Sequence, residues 1–261
     1  MTSELDGIGV VVTGSAMGIG RALCVRFAEL GARVAGLDLA PNDTTATEVA
    51  TARGSLFPMS CDVGDAKAAK RAIDEAATEF GRVDVLVNNA SLWNDTRLTV
   101  GLYEQQVAEF HRATDACLMG TYHCAAAVVP VMQANGGGVI VNLLTDHIRP
   151  HKLITGLPAT GYDAAKFGQW RLTESWAVEL APLGIRVNGL AFGATDTPML
   201  RSVSPKQAEN AMQASDMAEA VLNIVRQGPG GPTGRTWDIG FTGTPREEYL
   251  AEIEALRSAT A

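Results

Sequence analysis

A phenol and an ammonium stand four residues apart at Tyr162 and Lys166, in the stretch Tyr162-Asp163-Ala164-Ala165-Lys166. On a helix, residues at i and i+4 share one face. A cation held beside a phenol favours the phenolate, so a tyrosine that ordinarily ionises near pH ~10 is expected to be drawn toward neutrality. Such a tyrosine can give and take a proton as a general acid and base. The same spacing also describes an ordinary solvated helix face, so the rest of the chain must decide between the two.

The elements that would position the pair follow a repeated order. Gly7 to Val12 is a short, nearly continuous apolar run with β-branched residues, the pattern of a strand buried on both faces of a parallel sheet. A glycine-rich turn, Thr13-Gly14-Ser15-Ala16-Met17-Gly18-Ile19-Gly20, leads into a helix expected over Arg21 to Leu30 and stopped by Gly31. Glycines let backbone approach a pyrophosphate, whose charge the helix N-terminus favours. A tight connection would use the same residues. The second strand, Arg33 to Asp38, ends in an acid eighteen residues after Gly20. A carboxylate there can accept the adenosine ribose hydroxyls and repels a 2′-phosphate, which points to NAD rather than NADP. Asp38 equally suits a helix cap or a turn ahead of Pro41.

Further strands are expected at Ser55 to Ser60, Val83 to Asn88, Gly138 to Leu144, Ile185 to Leu190 and Arg235 to Ile239. Helices are expected at Asp65 to Phe80, Tyr103 to about Asn135, Ala159 to Leu180 and Asp216 to Arg226. This alternation predicts an α/β fold, a parallel sheet covered by helices on both faces with right-handed crossovers. No linker or composition shift divides residues 1–261, so one domain is expected. Proline-led helix starts at Ser204-Pro205 and Thr244-Pro245 mark a short lid (about 198–215) and a tail (about 245–258). In the tail, Tyr249, Leu250, Ile253 and Leu256 form an apolar stripe that must cover either its own domain or a neighbouring subunit.

Composition excludes several functions. Hydrophobic residues make up 46% and charged residues 19%, which is unlike a disordered chain. A net charge of −8 without a basic run argues against nucleic-acid binding. The N-terminus is acidic, no apolar run is read as a membrane span, and a cytoplasmic protein is expected. Cys24, Cys61, Cys117 and Cys124 show neither C-x-x-C pairing nor a nearby histidine pattern, so they are read as reduced and no metal site is expected.

In order along the chain, Thr13-Gly14 through Gly20, Cys61-Asp62-Val63, Asn88-Asn89-Ala90, Tyr162 to Lys166, and Asn188 with Phe192 to Thr197 resemble the motifs of the short-chain dehydrogenase/reductase family. The resemblance implies a Rossmann-type, doubly wound sheet of about seven strands in the order 3-2-1-4-5-6-7. It also implies hydride transfer between NAD and a secondary alcohol or ketone. Tyr162 would carry the proton, and Lys166 would hold the nicotinamide ribose and lower the tyrosine pKa. Cofactor contacts would come from Gly14, Ser15, Met17, Gly18, Ile19, Gly20, Asp38, Leu39, Asp62, Val63, Asn89, Ala90, Gly193, Thr195 and Thr197, with Tyr162 and Lys166. Members are often homo-tetramers or homo-dimers, and the helix carrying Phe167, Trp170 and Trp176 offers an aromatic surface for that contact.

Several positions depart from the family pattern. The substrate-orienting serine is Thr145 here, which keeps the hydroxyl but adds a methyl and stiffens χ1. The segment from Thr145 to Tyr162 is longer than the pattern and carries Asp146, His147 and His151. Asp146 and His151 are expected in a surface loop, while His147 is near enough in sequence to reach a substrate. The family's relay asparagine, which links the lysine through water to solvent, is Cys117 here. Thiols are weak hydrogen-bonding groups, so the relay is expected to be altered or supplied by another group such as Thr114 or Asp115; Cys117 itself reads as buried packing. Ser91 follows Asn88-Asn89-Ala90, and Phe192 replaces a proline. Leu92, Trp93, Phe192 and Met199 suggest an apolar or cyclic substrate. Thr145 and Cys117 also keep open a non-enzymatic NAD-binding sensor or scaffold on the same fold.

Overall fold

The computed structural model describes residues 3–149, 159–240 and 244–258. Its centre is a parallel sheet of seven strands: β1 (Gly9–Thr13), β2 (Arg33–Asp38), β3 (Leu56–Ser60), β4 (Val85–Asn88), β5 (Gly138–Leu143), β6 (Ile185–Phe192) and β9 (Thr236–Ile239), in the order β3-β2-β1-β4-β5-β6-β9. This is the expected 3-2-1-4-5-6-7 arrangement, the last strand being ninth in the chain because β7 (Thr195–Asp196) and β8 (Met212–Gln213) pair with each other apart from the sheet.

The near-continuous apolar strands divide their side chains between two cores because successive residues point to opposite faces. Val10, Val12, Val85, Val87, Val139 and Val141 join one core, whereas Val11, Leu86 and Ile140 join the other. The first core is closed by α1 (Gly18–Glu29), α9 (Ala214–Arg226) and the tail helix α10 (Arg246–Leu256). The second is closed by α3 (Ala66–Phe80), α5 (Gly120–Ala134) and α6 (Thr160–Leu180). The stripe Tyr249, Ile253 and Leu256 is buried on its own chain, and Asn223 Nδ2 fixes it by donating to Ile253 O at 3.0 Å.

Several boundaries differ from expectation. α1 begins at Gly18 rather than Arg21, which puts Gly18 and Gly20 in its first turn. α2 (Asp43–Thr51) was not foreseen, because it buries only Thr45 and Val49 and shows almost no apolar period. The lid region holds two short helices instead of one: α7 (Pro198–Val203), capped by Thr197 Oγ1, and α8 (Pro205–Ala208). The long helix expected over Tyr103 to Asn135 runs as α4 (Tyr103–Thr114), a π turn (Asp115–Met119) and α5. Over Tyr103–Ala134 it is long and apolar enough to cross a membrane, contrary to expectation; its α5 half instead buries Thr121, Cys124, Val128 and Met132 against the sheet and α3. Trp176 is 8% exposed and leaves the expected contact surface, whereas Phe167 is exposed. Asp146 also departs from expectation, being buried rather than on a surface loop; His151 lies outside the described residues.

Candidate active site

The carboxyl ends of β1, β2, β4, β5 and β6 open onto one cavity of about 870 Å³. At its start, Gly14 and Gly18 take φ of +67° and +54°. These left-handed conformations suit glycine. A Cβ on Gly14 would stand 2.8 Å from both Ala90 Cα and Asn89 Nδ2, so the turn lies flush against the end of β4. Hydrogen bonds fix that contact. Asn89 Nδ2 donates to Thr13 O at 2.8 Å and Gly14 O at 2.9 Å, and Thr13 Oγ1 accepts from Asn89 N and Ala90 N at 3.0 and 2.9 Å. The result is a glycine cradle at Gly14 and Gly18 at the start of a helix, with Met17 and Ile19 beside it, which fits a pyrophosphate.

Asp38 closes the end of β2. Its carboxylate accepts from Ala16 N at 2.9 Å and Ala40 N at 2.8 Å, which holds it at the cavity edge beside exposed Leu39. Asp62 and Val63 line the same end. Ser15 and Gly20 do not line the cavity: the Ser15 hydroxyl is buried and donates to Asn42 Oδ1 at 2.8 Å, and Gly20 packs against Gly14 O. Both residues shape the turn from behind.

Thr145, His147, Tyr162 and Lys166 wall another part of the cavity; Gly193, Thr195 and Thr197 also line it, Thr197 beside Gly18. Thr145, just past β5, hydrogen-bonds the Tyr162 phenol. Leu92, Trp93, Phe192 and Met199 make an apolar wall. The His147 ring stands edge-on to Tyr162, 6.3 Å between centres, and its Nδ1 lies 2.8 Å from Asp163 Oδ1.

The expected lowering of the Tyr162 pKa is not found. Burial raises the phenol, the neighbouring Cys117 adds to this, and the bond from Thr145 only partly offsets it. The Lys166 ammonium lies 5.7 Å from the phenol ring centre and is directed elsewhere, donating to Leu143 O at 2.6 Å and Gln169 Oε1 at 2.9 Å. Burial also pushes the lysine down from its ordinary value.

Cys117 sits in the π turn as packing, fully buried, its Sγ 3.3 Å from Ser91 Oγ and accepting from Leu92 N at 3.3 Å. Thr114 turns its hydroxyl back onto Phe110 O at 3.0 Å, and Asp115 lines the cavity. The side chain bonded to Lys166 is instead Gln169, which sequence reasoning missed; its only signal was a position three residues beyond the lysine on one helix. Among the described residues no group of three potential metal ligands occurs.

A family model described as short chain dehydrogenase matches residues 9–208. The 7alpha-hydroxysteroid dehydrogenase of Escherichia coli is 31% identical over 231 residues, covering 84% of this chain and 87% of that protein. The D-threitol dehydrogenase of Mycolicibacterium smegmatis is 34% identical, covering 72% and 70%. Among solved structures, carveol dehydrogenase from Mycobacterium avium in complex with NAD superposes with a TM-score of 0.80 at 26% identity, covering 92% of this chain and 98% of that one.

Proposed function

The chain belongs to the short-chain dehydrogenase family, and on that premise we propose that it is an NAD-dependent enzyme that transfers hydride between nicotinamide and a secondary alcohol or ketone. The observation that carries this reading is the convergence of Thr145, Tyr162 and Lys166 on a cavity that begins at the glycine cradle. Bound there, the dinucleotide supplies the hydride donor or acceptor. Tyr162 gives its proton to the carbonyl oxygen in reduction and takes one from the alcohol in oxidation. Thr145 holds that oxygen beside the phenol, and its hydroxyl takes the place of a serine. Lys166 has one N–H left after Leu143 O and Gln169, and this donor serves the nicotinamide ribose.

The wall of Leu92, Trp93, Phe192 and Met199 favours an apolar, cyclic substrate. Two of the relatives' names, hydroxysteroid and carveol, denote cyclic alcohols, while D-threitol is an open-chain polyol. We take residues 1–261 as one cytoplasmic domain, assembled as a homo-dimer or homo-tetramer, with residues 198–215 as the lid over the substrate end. Following NADH absorbance across a panel of cyclic and open-chain ketones tests the reading. Absence of turnover with every ketone, alongside tight NADH binding, would favour the sensor or scaffold role instead.

Asp38 carries the cofactor choice. Replacement by Ala removes the charge that repels a 2′-phosphate and a charge-assisted acceptor worth about 1.5–3 kcal/mol. Asp38→Ala is expected to weaken NAD binding about tenfold or more and to narrow the preference over NADP. A direct titration in which the unmodified protein prefers NADPH would reverse the assignment.

A further inference from the structure

Behind Lys166, on the side away from the cavity, lies a closed set of buried polar groups. Gln169 is 0% exposed and Lys166 2%. Gln169 Oε1 accepts from the ammonium at 2.9 Å, and its Nε2 donates to Thr121 Oγ1 at 2.8 Å. Thr121 in turn donates its hydroxyl hydrogen to Cys117 O in the π turn, also at 2.8 Å. The direction of this chain is determined. Because the threonine hydrogen is committed to a carbonyl, a lone pair faces Gln169, so the amide must present its NH₂ to Thr121 and its oxygen to the lysine. A flipped amide would put N–H against an ammonium and oxygen against oxygen. Main-chain atoms anchor both ends: Leu143 O at the end of β5 takes a second ammonium hydrogen at 2.6 Å, and Cys117 O holds the Thr121 hydroxyl.

We propose that Gln169, oriented by Thr121, is a positioning residue that fixes the Lys166 ammonium and aims its remaining N–H into the cavity. This rests on the role proposed above for Lys166. Two acceptors hold the charged form in a buried site where desolvation alone would favour the neutral amine. Titratable neighbours are the Tyr162 phenol on the same helix and the Cys117 thiol on the π turn; from β5 the ammonium meets the Leu143 carbonyl. Gln169 therefore sustains the charge on Lys166 at the pH where Tyr162 works. It also occupies the space behind the lysine with protein–protein bonds, so Lys166 exchanges protons through the cavity.

The test reads Lys166 directly. In protein labelled with ¹⁵N-lysine, its side-chain resonance is assigned by its loss in Lys166→Arg and titrated in the absence of turnover. Gln169→Leu removes one acceptor at similar volume and is expected to lower the Lys166 midpoint by about one pH unit. Gln169→Glu, which keeps an acceptor and adds a charge, should restore or raise it. With an active substrate, the alkaline limb of the kcat profile should move with the midpoint, and kcat in Gln169→Leu should fall about tenfold, with a smaller loss of NADH affinity because only the nicotinamide-ribose contact is disturbed. Thr121→Val deletes only the hydroxyl that orients the amide and should give a smaller shift in the same direction, which keeps the test open should Gln169→Leu fail to fold. Coincident Lys166 titrations in the unmodified protein and the folded variants would overturn the proposal. A shifted titration in a protein that reduces no ketone would overturn the enzyme reading and leave the positioning of Lys166 standing.

Discussion

Tyr162→Phe is expected to lower turnover by about 10²- to 10⁴-fold, the range for loss of a general acid or base, while NADH binds within about twofold of the unmodified protein. The phenyl ring keeps its place on the cavity wall and its edge contact with His147, so the glycine cradle and Asp38 at the far end are untouched. Only the proton and the bond to Thr145 disappear. Burial raises the Tyr162 pKa, so near neutral pH the phenol holds its proton and stands ready to donate. Reduction should therefore be nearly flat across neutral pH. Oxidation needs the phenolate, whose fraction grows about tenfold per pH unit below the pKa, and its kcat/KM should climb at that rate roughly between pH 6 and 9. Undiminished turnover in Tyr162→Phe, or an oxidation rate indifferent to pH, would remove Tyr162 from the chemistry.

The raised phenol marks where sequence reasoning ends. Spacing placed Tyr162 and Lys166 on one helical face, and the structure keeps them there. Spacing does not say where a four-carbon side chain points. Lys166 is captured by the carbonyl ending β5, 23 residues away in the chain, and by a glutamine one turn along whose spacing alone does not say that its amide turns inward. A glutamine inside a helix reads as surface until the sheet is assembled over it. Asp146 is a similar case: beside Thr145 in an apparent loop, it reads as exposed, yet it is buried in a single 3₁₀ turn (Asp146–Ile148) just beyond the carboxyl end of β5.

The strands were legible for a different reason. β2 was foreseen from Arg33 to Asp38 because burial on both faces leaves a continuous apolar run ending sharply in an acid. α3 was legible from its strong amphipathic period and the cap at Asp65, whose carboxylate accepts from Lys67 N and Ala68 N. α2 and α7 were not, since short helices that bury two residues or none leave no period to read. The end proposed for the cofactor turns on backbone and glycines, which leave a local sequence signature. The substrate end is made of side chains brought together from β5, α6 and the region beyond β6, so its chemistry is visible only once those elements meet.

Gly20→Ala carries the largest expected structural effect, because the position joins that legible turn to the strand behind it. An added Cβ would collide with Gly14 O and stand 2.6 Å from Asn89 Nδ2. Neither neighbour can yield easily. Gly14 O is main chain in a left-handed turn, and Asn89 Nδ2 is the donor that ties Thr13 O and Gly14 O to the end of β4. Relief requires either the turn to lift from α1 or the Asn89 amide to withdraw, and each opens the cradle. Overpacking of this kind costs about 1–3 kcal/mol, which in a chain of this size lowers Tm by about 2–4 °C per kcal/mol. NADH affinity should fall at least about tenfold, since a displaced turn no longer aims its N–H groups at the pyrophosphate. Gly230→Ala is the matching control: a Cβ there meets nothing within 4 Å, so both Tm and NADH binding should stay unchanged. Equal NADH affinity in Gly20→Ala and Gly230→Ala would show that the turn tolerates the methyl and that the fit of the β1–α1 turn against β4 does not set cofactor binding.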